Sequence, residues 1–185
     1  MGIIHASGGF VSFTDFLAAI QSPRLRRIAL LWKAARGARR MPGWSNIDPV
    51  AIGHDLSIVW SWKYDEDSDS FTGRLAGEDI VEAFGENLRG KRMEDFFAER
   101  QFPLIFARHK RIVTEPAFAR GSGPVFIHAK RYGQGERVIM PLAADGVHAD
   151  GLFGATIYDM EPRRAPEATR VGYVDTERVD FFALE

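Results

Sequence analysis

The feature that most limits how this chain can fold is a double change of hydrophobic period between Leu56 and Tyr158. Residues 56–64 and 70–76 are rich in β-branched and aromatic side chains and flank the acidic turn 65–70, a pattern that predicts a β-hairpin. The period then becomes helical. Residues 77–84 place Ile80, Val81 and Phe84 on one face, and Gly85 stops the helix. A second short helix is expected over 90–97, with Met93, Phe96 and Phe97. A longer one over 102–113 carries Phe102, Ile105, Phe106, His109 and Ile112 along one side. The β pattern returns in runs 117–121, 125–132, 137–142 and 151–158, with turn residues Gly133-Gln134-Gly135 and Ala144-Asp145-Gly146 between them. Two strands, three helices and then more strands cannot alternate as a parallel β/α fold. They predict an α+β domain, an antiparallel sheet with the short helices on one face.

Two helices precede this core. Ser12 or Thr14 can cap a helix over 14–21, and Ser22-Pro23 starts another that ends at Gly37. The second carries Leu25, Ile28, Ala29, Trp32 and Ala35 at spacings of three and four. Charge is unevenly spread. No acidic residue lies between Phe16 and Ile47, where seven basic ones do: Arg24, Arg26, Arg27, Lys33, Arg36, Arg39 and Arg40. From Tyr64 to Glu99 there are eleven Asp or Glu against four Lys or Arg. The net charge is −1, so no global field draws the chain to nucleic acid, and the basic segment is expected to meet an acidic surface instead.

Absent residues exclude several chemistries. With no cysteine there is no disulfide, thiolate metal site or thiol nucleophile. No run of 18 apolar residues is present and the first residues lack a secretory pattern, so the expectation is a cytoplasmic chain. Gly85-Glu86-Asn87-Leu88-Arg89-Gly90-Lys91 nearly spells a phosphate-binding loop, but Arg92 stands where Ser or Thr must reach magnesium. The five histidines are scattered, and the close pair His148/Asp150 lies in a turn, so no metal site is expected. No nucleophile elbow or paired carboxylates across a cleft are legible, and no catalytic residue is assigned.

Three stretches carry a family resemblance: Trp32 through Gly37-Ala38-Arg39-Arg40-Met41-Pro42 to Ile47-Asp48-Pro49, Gly73-Arg74-Leu75-Ala76-Gly77 through Phe84 to Lys91, and Glu136 to Gly146. In order and spacing they resemble the mostly single-domain PAS proteins common in alphaproteobacteria. Gly73 departs from that pattern, where the family usually has an aromatic, and so does Glu78-Asp79, where it has a small polar residue. The resemblance implies a PAS-like five-stranded antiparallel sheet over residues 51–160, an N-terminal helical extension over 1–50 and a C-terminal tail over 161–185. It implies a sensory or protein-interaction module rather than an enzyme, with a pocket between sheet and helices. Candidate pocket residues are Arg74, Ile80, Phe84, Met93, Phe106, His109, Met140 and Tyr158. PAS domains often dimerise through N-terminal helices, which makes Leu25, Ile28 and Trp32 candidates for a homodimer or partner contact. The same stripe can instead cover the domain's own sheet.

The resemblance also raises cofactors. Flavin-adduct and coumarate photochemistry in PAS domains need a cysteine, which this chain lacks. In haem PAS domains the proximal histidine sits on the long helix before the last three strands, where His109 lies, although its setting in Arg108-His109-Lys110-Arg111 favours a solvated face. A filled apolar core is expected over an open pocket, leaving a protein partner as the first reading. A haem or small-molecule sensor is the second, and nucleic-acid binding through Arg24–Arg40 the third.

Overall fold

The structure is a computed structural model that describes residues 12–97, 99–128, 131–159 and 177–184. Its centre is one antiparallel sheet of six strands: β1 (Val59–Asp65), β2 (Ser70–Ala76), β3 (Ala117–His128), β4 (Arg131–Leu142), β5 (Gly151–Asp159) and β6 (Arg178–Ala183). The spatial order is β2-β1-β5-β4-β3-β6. Three helices enter between β2 and β3, as expected from the order of patterns. Preceding the sheet are α1 (Phe13–Ala19), α2 (Pro23–Arg36) and the single turn α3 (Pro49–Ile52). Between β2 and β3 lie α4 (Glu78–Phe84), α5 (Met93–Phe96) and α6 (Phe102–Thr114).

The sheet has two buried faces. Strand residues alternate between them, because successive side chains point to opposite sides. Ile139 and Leu152 join α4–α6 in one core, while Val138, Met140, Phe153 and Ala155 join α1 and α2 in the other. The expectation of helices on one face therefore needs a second layer added, supplied by the N-terminal segment.

Local chemistry explains that layer. Ser12 accepts from the Asp15 N–H and the Asp15 carboxylate accepts from the Ser12 N–H, a capping box that starts α1. Ser22 caps α2, Pro23 occupies its first turn, and Gly37 ends it at φ 57°. The stripe Leu25, Ile28, Ala29 and Trp32 is fully buried. The Trp32 indole N–H donates to the Pro141 carbonyl at 2.8 Å, and its ring meets Phe118 edge-on at 5.0 Å. Each fully buried side chain of this size contributes about 1.5–3 kcal/mol from removal of apolar surface from water. Leu25, Ile28 and Trp32 thus serve this chain's own core, which withdraws them as partner-contact residues: their spacing makes the face that the sheet needs covered.

The entry to α2 is anchored from the sheet. Glu136 on β4 accepts from the Gln21 and Ser22 N–H groups at 2.9 and 2.8 Å, and from Arg120 Nε on β3 at 2.6 Å. The basic flank of α2 finds its acidic surface nearby. Asp55, 2 % exposed, accepts from Arg24 at 2.7 Å and Arg27 at 2.9 Å. Burial pushes that carboxyl up, but the two arginine bonds and charges outweigh it and hold it below the usual carboxylate range.

Three local expectations change. Gly133-Gln134-Gly135 is not a turn: it lies inside β4 and pairs with Phe126, Pro124 and Gly123 of β3. Runs 117–121 and 125–132 are not two strands; residues 117–128 form the single strand β3, with a register shift between Pro124 and Phe126. Glycine weakens a strand without forbidding it, and the bulge absorbs the irregularity. Part of the expected tail also changes role. Residues 178–183 form β6, which pairs with β3 from Ala117↔Ala183 to Ser122↔Arg178.

Candidate functional site

The candidate site is the space between the inner sheet face and α4–α6. Trp60 and Trp62 reach it from β1, Thr156 and Tyr158 from β5, and Arg137 and Ile139 from β4. The Trp60 indole donates to the Thr156 hydroxyl at 2.9 Å, so the buried ring keeps a partner. Helix α4 brings Ile80, 2 % exposed, and Phe84, whose ring lies 4.8 Å from Phe96. Met93 is fully buried beside them. Phe106 meets Phe71 edge-on at 5.8 Å.

His109 sits in the middle. It is 4 % exposed, with Trp60 at 5.7 Å and Phe71 at 6.1 Å between ring centroids. The solvated face expected from its basic neighbours is corrected here. The buried positions of α6 are Ile105, His109, Ile112 and Val113, and spacings of four, three and one make a single stripe. Nδ1 lies 2.7 Å from the Ile105 carbonyl, which can only accept. Nδ1 therefore carries the proton and Nε2 the lone pair. Burial pulls the ring down to about 4, with the Arg137 and Arg108 charges adding and the Ile105 bond opposing. At neutral pH it is an uncharged imidazole.

Of the predicted pocket residues, Ile80, Phe84, Met93, Phe106, His109 and Tyr158 gather on this face. Met140 does not: it is fully buried in the opposite core with Val138 and Leu142, because the strand's alternation aims Arg137 and Ile139 at the helices. Arg74 lies over the Trp44 ring at 5.1 Å, a cation–π contact with the N-terminal segment. Gly73 has its own reason: a Cβ there would come 2.0 Å from the Leu88 carbonyl oxygen. The sheet edge and the 85–91 loop approach too closely for the aromatic usual in the family. That loop is a pair of glycine turns, Gly85 at φ 74° and Gly90 at φ 78°, bonded back to β2 through Gly73.

The sequence reading missed a buried ion triad. Glu177, just before β6, places one carboxylate oxygen 3.0 Å from Arg108 Nη1 and the other 2.9 Å from Arg137 Nε. The side chains are 6 %, 20 % and 16 % exposed. A Cβ at Gly121 would lie 2.1 Å from the Glu177 oxygen, so the glycine makes the room. The available signal was the arginine at the inward parity of β4, next to Val138 and Ile139; nothing local marked Glu177.

Among the described residues little empty space lies around His109. Two cavities of about 20 Å³ flank His109, one toward Arg108, Gly121 and Glu177 and the other toward Trp62, Phe84 and Tyr158. Each has room for about one water. A haem-sized group needs a pocket of about 300–1,000 Å³, so these residues as arranged do not fit one. A larger open groove of about 250 Å³ lies outside the core, between Arg24, Ile58, Asp79, Glu82 and the end of β5. Among the described residues no group of three His, Asp or Glu is placed to hold a metal, and no helix is long and apolar enough to cross a membrane.

An antiparallel sheet ordered 2-1-5-4-3, with three short helices inserted between its second and third strands, defines a class of α+β domain. Residues 20–157 match the family model described as PAS domain, and the chain belongs to that family. That match starts at the entry to α2 and stops near the end of β5, leaving α1 and β6 outside it. Comparison with curated proteins found no match, and comparison with solved structures found none.

Proposed function

We propose that this chain is a sensory PAS module of the alphaproteobacterial single-domain type that works in the cytoplasm by contacting a protein partner, without catalysis and without a resident cofactor. The observation that carries this reading is the filled interior. Where a cofactor-binding domain keeps a pocket, the described residues around His109 keep close-packed aromatic rings and water-sized cavities. The absence of a cysteine supports it by removing adduct photochemistry. Arg24 and Arg27 of α2 are engaged by Asp55, which weakens the nucleic-acid reading.

The test combines native mass spectrometry and a visible spectrum of the purified chain with cross-linking in the source cell. The expected result is the bare chain mass or its double, no visible band, and a specific partner whose activity changes when the chain is added. A haem band, or a cofactor mass surviving purification, would overturn this reading in favour of a cofactor sensor.

A further inference from the structure

We propose that the Arg108–Glu177–Arg137 triad is a binding site for a short aliphatic monocarboxylate, closed at rest by the protein's own Glu177. The two arginines come from different elements, α6 and β4, and converge on one carboxylate, each oxygen taking its own guanidinium at 3.0 and 2.9 Å. Arg108 donates a hydrogen bond to its oxygen, while Arg137 holds the other at ion-pair distance, so two guanidinium charges are aimed at one carboxylate. Neighbouring backbone is shaped to the same group, since any side chain at Gly121 would collide with the Glu177 oxygen.

Size follows from the occupant. Beyond its Cα a glutamate side chain is a propionate. Withdrawing it leaves a propionate-shaped space joined to the water-sized cavity lined by Ile112, Ala119, Ile139 and Val179, with the His109 ring at its wall. The pocket so formed has a charged end and a short apolar end, which selects propionate or butyrate over longer or neutral molecules.

Exchange is feasible on two counts. A buried ion pair roughly offsets its own desolvation, so the pair itself opposes exchange weakly, and what a free carboxylate must overcome is the tethered position of Glu177. Glu177 also stands outside the part of β6 that anchors the strand. Phe182 and Leu184 are buried in the opposite core, and the ladder to β3 begins only at Arg178. The carboxylate can leave while β6 stays paired. Displaced, it changes the surface beside Arg178 and Val179, which is how occupancy would reach a partner.

The probe is sodium propionate, with propionamide as the neutral isostere, at matched ionic strength. In the wild-type chain propionate is expected to produce saturable NMR shifts at Gly121, Arg137 and Glu177 and faster amide exchange at Arg178 and Val179, and propionamide neither. In Glu177→Ala, which removes the internal competitor, propionate is expected to bind about tenfold tighter or more, and the added change Arg137→Met is expected to abolish binding. Absence of a saturable wild-type response, or an equal response to propionamide, overturns the proposal. That measurement decides even if Glu177→Ala fails to fold. The signalling role rests on the sensory reading above: propionate binding that leaves the partner's activity unchanged would remove that role and keep the site.

Discussion

Acidification should destabilise this protein through His109, and the size of the effect follows from its burial. Folding holds the ring neutral, with its protonation moved from the ordinary 6.5 to about 4. Between those values the unfolded chain binds the proton and the folded one does not, so stability falls as pH drops through 6.5 and levels off below 4. Between pH 7 and pH 5 this group alone should remove about 2 kcal/mol of unfolding free energy. The assay is urea unfolding followed by tryptophan fluorescence across that range, compared with His109→Leu. Leucine keeps the apolar stripe of α6. It also orphans no acceptor, because the Ile105 carbonyl retains its helical bond from the His109 backbone N–H. All carboxylate contributions are common to both proteins, so the difference between their pH slopes isolates the imidazole. The variant should be flatter by about 2 kcal/mol over the interval. Equal slopes would refute the reasoning and mean that the ring is not held buried and neutral.

Two further outcomes follow from close contacts. Gly121→Ala drives a methyl to within 2.1 Å of the Glu177 oxygen; it should destabilise the fold by about 1–3 kcal/mol, and a thermal-melt double-mutant cycle with Glu177→Ala should recover much of that loss. Independent, additive effects would show that the two do not compete for the same space. Asp55→Asn removes the charge that Arg24 and Arg27 share. Because those arginines are 35 % and 49 % exposed, the expected loss in urea unfolding is only about 1–2 kcal/mol. A larger loss of α2 structure by circular dichroism would mean that the ion pairs, not the buried stripe, hold the helix.

Much of the architecture was legible because local periodicity and long-range order agree here. The hairpin β1–β2, the positions of α4 and α6, and the cap and stop residues of α2 all follow from patterns within a few residues of one another. The same patterns marked Ile80, Phe84, Met93 and Phe106, whereas the basic neighbours of His109 pointed it to solvent and the parity of the strand carrying Tyr158 stayed open until the packed layers set both inward. Strand parity was the first point at which sequence ran out. An alternating run such as 137–142 has two apolar faces when both sides of a sheet are covered, and only the packed layers show that Met140 turns to α2 while Arg137 turns to α6.

Sequence by itself therefore determined the class of fold, the lack of thiol chemistry and the amphipathic helices, because each depends on residue type and short spacing. Tertiary structure decided what those helices cover, where the last strand pairs, and which charges meet. Glu177 is 40 positions from Arg137 and 69 from Arg108. No pattern along the chain connects them. Their meeting depends on β6 docking against β3 and on a glycine that leaves the space open. The filling of the pocket is likewise a property of packing: the same aromatic residues can line a cavity or close it, and it is the distances between their rings that close it here.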